Sequence, residues 1–122
     1  MDDPALAEFV RLYRAGRFFD AHEALEVVWR RSREPRMLLL QGLIQLAVAF
    51  EHQRRGNHHG ALRQLDKALP KIAAGPPGDL GLDLAAVRAA APALREAFAR
   101  ADAGERVPPQ PAPPIGLRPD AA

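Results

Sequence analysis

Cysteine and threonine are absent from these 122 residues, and serine occurs once, at Ser32. Without cysteine there is no disulfide framework and no thiolate metal site. The thiol nucleophile goes with it, and Ser32 stands in an expected turn with no base near it in sequence. Hydrolysis through a covalent intermediate is therefore disfavoured. Aromatic residues make up only 6%, with one tryptophan and one tyrosine. Scarce aromatics beside abundant alanine and leucine favour helix over sheet. No long apolar run exists either. The longest, Met37 to Phe50, is broken by Gln41, Gly42 and Gln45, too short and too polar to cross a bilayer. The start, Met1-Asp2-Asp3-Pro4, is acidic and lacks the pattern of a signal peptide. These absences predict a cytoplasmic protein with no membrane partner. Charge of one sign is also lacking: 17 lysines and arginines face 15 acids, a net +2 that is weak evidence for nucleic acid.

What is present reads as helices. At 48% hydrophobic and 26% charged residues, the chain has the composition of one globular domain with a real core. Asp3-Pro4 starts a first helix, carried by Leu6, Phe9, Val10 and Tyr13 and ended by Gly16 as a left-handed cap. A second helix runs from Arg17 or Phe18 to about Arg31. Ser32 to Glu34 turn, and Pro35 opens a third helix reaching about Arg55, apolar nearly all round and so expected at the centre. Gly56-Asn57 leads into a fourth, His58 to about Ala73, with a kink or end expected near Leu69 because Pro70 follows. Gly75-Pro76-Pro77-Gly78 is a breaker. Asp83 caps a fifth helical region to about Ala101, which Pro92 is expected to kink or divide. From Val107 the prolines impose extended, polyproline-like chain. Ile115 and Leu117 either pin it to the body or leave a disordered end. The expectation is an all-α, compact multihelical bundle of five or six helices over residues 1–106, its buried central helix at about 35–55, with an extended Pro-rich tail over 107–122.

Gly16, Ala21 and Leu25 recur forty residues later as Gly56, Ala61 and Leu65. Glycine suits a tight turn, alanine a close helix approach and leucine a core. The echo predicts a repeated helix–turn–helix, its second copy like the second helix of a tetratricopeptide hairpin. Two copies are too few for a solenoid, so a closed bundle is expected.

Chemistry concentrates in the second and third helices. His22 falls on one line with Phe18, Leu25 and Trp29, and Glu26 lies one turn on at its edge. Glu23 points about a quarter turn away. On the third helix Gln41 and Gln45 are a turn apart, and His52 lies two turns further along the same side. If the two helices pack antiparallel, His22 faces Gln45, Glu26 faces Gln41 and Trp29 faces Leu38. Three roles suit such a seam. One is a buried hydrogen-bonded lock on helix register, because buried polar groups need partners. Another is a site for a polar ligand or partner made by His22, Glu26, Trp29, Gln41, Gln45 and His52. The last is a metal or acid/base centre on His22 and Glu26. Two ligands are few for a metal, a second Glu-x-x-His is missing, and Glu26 stands where a zincin would carry its second histidine. No metal and no cofactor is therefore assigned. Arg30, Arg31, Arg33 and Arg36 cluster at one end of the hairpin; Arg54, Arg55, His58, His59 and Arg63 cluster at the other. They read mainly as solvated helix ends, which leaves an RNA-associated role trailing.

The succession Phe9…Tyr13…Gly16-Arg17-Phe18-Phe19-Asp20-Ala21-His22-Glu23-Ala24-Leu25-Glu26-Val27-Val28-Trp29, then Leu40-Gln41-Gly42-Leu43-Ile44-Gln45-Leu46-Ala47 and His52…Gly56-Asn57…Gly60-Ala61, resembles domain-of-unknown-function family 309 from about Phe9 to Leu69. The resemblance implies a small multihelical fold and no activity. Its characteristic residues correspond to His22, Glu23, Glu26, Trp29, Gln41, Gln45 and His52. The expected role is a non-enzymatic helical domain that binds a protein partner or small polar ligand, with a His22/Glu26 enzyme as the alternative; an oligomer is compatible with either.

Overall fold

A computed structural model of the chain describes residues 4–33, 36–74 and 79–118. Five α-helices make up the body: α1 (Pro4–Arg14), α2 (Phe18–Arg31), α3 (Arg36–Arg54), α4 (His58–Ala73) and α5 (Ala85–Asp102). A 3-10 turn at Asp79–Gly81 precedes a short strand, β1 (Leu82–Asp83), which pairs antiparallel with β2 (Gly116–Leu117) near the end of the chain. The protein is an all-α multihelical bundle carrying one two-residue β ladder. Asp3, Pro35 and the Gly75–Gly78 breaker lie outside the described residues.

The two glycine turns explain the hairpins. Gly16 sits at φ 76° and Gly56 at φ 77°. After α1, Gly16 N–H donates to Tyr13 at 3.0 Å and Arg17 N–H to Leu12 at 2.9 Å. After α3, Gly56 N–H donates to Gln53 at 3.0 Å and Asn57 N–H to His52 at 2.8 Å. Both are Schellman closures, which satisfy the last carbonyls of a helix through a left-handed residue. A Cβ at either glycine would meet nothing within 4 Å, so it is the backbone conformation, not space, that demands glycine. The next helix then starts identically, with Ala21 N–H on Arg17 and Ala61 N–H on Asn57. Ala21, Leu25, Ala61 and Leu65 are all buried. The internal echo is thus a repeated piece of structure.

Each helix packs chiefly on its neighbours in sequence, and α3 lies between α2 and α4. Leu39, Leu40, Leu43, Leu46, Ala47 and Ala49 of α3 are fully buried. Gly42 permits the closest approach: a Cβ there would fall 2.9 Å from Lys71 Cβ on α4. From Leu38 to His52 the residues that escape burial are Leu38, Gln41, Gln45, Val48 and His52. They follow one another at helical spacing, so α3 is central but has one open strip. A chain of rings ties the core across the bundle. Phe9–Tyr13, Tyr13–Phe18, Phe18–Phe50 and Phe50–Phe98 have centroids 5.7, 5.6, 5.5 and 5.6 Å apart.

Of the alternatives expected at the prolines, an end near Leu69 and a division at Pro92 are not found. α4 continues through Pro70 to Ala73, and α5 continues through Pro92 as one helix. Both prolines are exposed, so the carbonyl each leaves unpaired a turn earlier is on the wet side of its helix, where water replaces the lost bond. Lys71 Nζ also donates to the Lys67 carbonyl at 3.2 Å. The N-cap of α5 is Leu84, not Asp83 as expected; Asp83, one residue earlier, accepts from Ala85 N–H at 3.1 Å.

The segment after α5 is ordered against the body. Gln53 clamps Gln110 twice: its Nε2 donates to the Gln110 carbonyl at 2.9 Å, and its Oε1 accepts from the Gln110 N–H at 2.7 Å. Tyr13 Oη donates to the Pro113 carbonyl at 2.7 Å. Ile115 is fully buried, whereas Leu117 is 54% exposed. Ile115 is therefore the apolar pin, and Leu117 is held only through its backbone, opposite Leu82 in the ladder.

Candidate functional site

α2 carries His22, Glu26 and Trp29 along the margin of its buried face, whose centre is Ala21, Leu25 and Val28. All three margin residues are half-buried. The His22 side chain is 16% exposed and that of Glu26 39%. His22 Nδ1 donates to the Phe19 carbonyl one turn back, and its ring meets Phe19 edge-on at 4.9 Å. A carbonyl only accepts, so the neutral ring must keep its proton on Nδ1 and offer Nε2 as an acceptor. Nε2 lies 3.9 Å from Glu26 Oε1, and Glu26 Oε2 lies 3.6 Å from Arg30. His22, Glu26 and Arg30 thus form a row along α2, each one turn from the next.

The polar groups of α3 take other partners. Gln45 Oε1 accepts from Lys71 Nζ of α4 at 2.9 Å. Gln41 has no side-chain partner among the described residues. His52 Nδ1 accepts from Asn57 Nδ2 at 3.1 Å, and Asn57 Oδ1 accepts from Gly60 N–H at 2.9 Å. His52 therefore supports the N-cap of α4. The buried lock expected between His22 and Gln45, and between Glu26 and Gln41, does not form among the described residues. The reason is exposure: these groups sit on helix margins, where water satisfies them and no cross-helix bond is forced. Trp29 is the exception. Its indole Nε1 is buried with no hydrogen-bond partner among the described residues, although the ring packs against the core.

The candidate residues stand in two part-exposed rows, one on each of two helices that pack together. The α2 row holds His22, Glu26 and Trp29 beside Phe19, which is 48% exposed. The α3 row holds Gln41, Gln45, Val48 and His52 beside Leu38, which is 42% exposed. Glu23 is exposed and apart. Lys71 joins the strip through Gln45. Nothing in the sequence pattern marked it, because its partner lies on another helix.

The arginine clusters are largely occupied. Arg54 and Arg55 both grip Glu51, at 2.7 and 2.6 Å. Glu51 is the buried charged residue of the core region, and the Arg54 hydrogen bond, helped by Arg55, lowers its pKa to about 2. His59 pairs with Asp102 at 3.3 Å, and Arg95 with Asp66 at 3.0 Å. Among the described residues no three His, Cys, Asp or Glu side chains gather as a metal centre, and no helix is long and apolar enough to cross a membrane.

Two hollows lie away from the strip. One, of about 30 Å³, is beneath Pro108–Gln110 against Gln53, His58 and Phe98. The other, of about 300 Å³, is an open crevice between the α1–α2 turn (Tyr13, Gly16, Phe18) and the tail (Ala112, Pro114).

Fold and strip together define a class: a small all-helical domain built on two glycine-turned hairpins with a mixed polar and apolar outer strip. Residues 6–64 match the family described as domain of unknown function (DUF309), and over that stretch the chain resembles this family. The matched span contains all six candidate residues and leaves out α5 and the tail. No curated protein matches the chain.

Proposed function

We propose that this chain is a non-enzymatic binding domain that engages a protein partner or a small polar ligand along the α2–α3 strip, through His22, Glu26, Trp29, Gln41, Gln45 and His52. One observation supports it: the six residues are only partly buried, on two helices that pack together, and each row has an exposed apolar neighbour, Phe19 on α2 and Leu38 on α3. Apolar groups at the rim of polar ones are what a partner surface can desolvate with profit. An open strip suits a protein surface better than an enclosed small molecule. His22 is already fixed on the Phe19 carbonyl, which lowers the ordering cost of using its Nε2. The lack of cysteine and the absence of a spanning helix among the described residues support a cytoplasmic setting.

The test is selection of random peptides on the whole chain, followed by NMR mapping of the best binder on labelled protein. Shifts should concentrate at Phe19, His22, Glu26, Leu38, Gln41 and Gln45, and a Phe19→Ser, Leu38→Ser variant should lose binding while keeping its melting temperature. Shifts confined to another face would refute the assignment.

A specific geometry favours a second role. The proton on Nδ1 leaves His22 Nε2 free to accept beside Glu26, the arrangement of an acid/base or two-ligand metal pair. Elemental analysis and zinc titration decide it: stoichiometric metal lost in His22→Ala supports that role, and sub-stoichiometric metal removes it.

A further inference from the structure

The tail is held in an unusual way for a structural segment. From Val107 to Leu117 only Pro113 and Ile115 are buried. Its polar contacts with the body run through the tail's main chain. Gln53 reads both the N–H and the carbonyl of Gln110. Tyr13 reads the carbonyl of Pro113. The β1 edge pairs with Gly116 and Leu117, and Arg118 N–H donates to the Gly81 carbonyl at 2.8 Å. Peptide-recognition grooves work by the same division. Main-chain bonds and an edge strand supply affinity, aromatic walls receive prolines, and one or two pockets set specificity.

The fit is also incomplete. The crevice of about 300 Å³ beside Ala112 and Pro114 is walled by Tyr13, Arg14, Gly16 and Phe18. A larger side chain at the place of Ala112 has room there. The hollow beneath Pro108–Gln110 is about the size of one water.

We propose that the surface beneath the tail, formed by Tyr13, Phe18, Gln53, Phe98 and the β1 edge, is a docking groove for a proline-rich extended segment of another protein, and that residues 107–118 occupy it in cis. The occupant is argued from the one already seated: prolines, exposed main-chain bonds and a single aliphatic anchor. This groove shares none of the six strip residues, so it stands or falls apart from the α2–α3 proposal. A tethered tail competes at an effective concentration on the order of millimolar, so a foreign segment binds when the tail is displaced, modified or outcompeted by a better-filling sequence.

The experiment inserts a protease site between Gly104 and Glu105 of the whole chain, cuts the folded protein, and adds a fluorescent peptide of residues 107–118. Helical circular dichroism should persist after the cut, and the labelled peptide should exchange in. The same peptide with Ile115→Asp should bind about thirtyfold more weakly or worse, the loss of a central anchor. A peptide that keeps Pro113 and Ile115, changes Ala112→Leu and replaces the exposed positions by alanine should bind at least as well as the native tail. Should the insertion prevent folding, the native uncut chain takes its place, with the labelled peptides added in large excess to compete with the tethered tail and the same order of affinities expected. Four results would each overturn the proposal. They are no exchange at large peptide excess, loss of helix when the tail leaves, a requirement for the whole native tail sequence, or dimers whose formation tracks tail release. The last would make a second copy's tail the occupant.

Discussion

The two glutamine-bearing sides of α3 differ in where their bonds go. On one side Gln53 spends its amide on the backbone of Gln110, far away in sequence, and Tyr13 does the same with Pro113. On the other side Gln41 has no side-chain partner among the described residues, His22 bonds its own helix and His52 the adjoining cap, and Gln45 alone of the four reaches another helix, at Lys71. The residue types are alike, and the loop lengths closed are not. Polar groups that pin distant chain contribute to the fold. Polar groups satisfied within a turn contribute little to it, as a surface proposed to bind a partner requires.

Substitutions that disturb the pinned side should therefore cost most. Ile115→Ala should destabilise by about 2–5 kcal/mol, as for a fully buried aliphatic, read as a lower denaturation midpoint at unchanged slope. Gly42→Ala should cost about 1–3 kcal/mol, because the new methyl meets Lys71 Cβ at 2.9 Å and two packed helices must part. Tyr13→Phe should cost about 1–2 kcal/mol by leaving the buried Pro113 carbonyl unsatisfied.

Glu51 gives the comparison a pH axis. Its folded pKa of about 2 lies below the ordinary 4.5, so it stabilises the folded state fully above about pH 4.5. That contribution is lost as the pH falls toward 2. The melting temperatures of wild type and Glu51→Gln should differ at pH 7 and converge across that window. A gap independent of pH would mean that the arginine pairing is not its source. The smallest effect is expected at the open strip: His22→Ala should change stability by less than about 1 kcal/mol, since the group is bonded only within its own helix.

Much of the fold was legible in the sequence, because helix ends carry local chemistry. Gly16, Gly56 and Asn57 mark turns through their own backbone needs, and the spans of α2 and α4 follow from them. Pro70 and Pro92 do not end their helices; both are exposed, where water can reach the freed carbonyl, and that exposure is not written in the neighbouring residues. The candidate residues were found by periodicity, which places them on a face but does not say how deep that face is buried. His22 and Glu26 were expected buried against α3 and are part-exposed at the margin of the buried face of α2. Gln53, Lys71 and the β1–β2 pairing escaped notice because each depends on a partner that only the folded chain brings near. The same holds for the crevice beside Ala112.

The most direct test compares two double variants by thermal melting. The pinned pair, Tyr13→Phe with Gln53→Ala, should lower the midpoint by several degrees, about 3–6 °C for each kcal/mol in a chain of this size. The strip pair, His22→Ala with Gln41→Ala, should stay within about 3 °C of wild type. Equal losses, or a larger loss in the strip pair, would show that the α2–α3 strip holds the fold together and would contradict the binding role proposed for it.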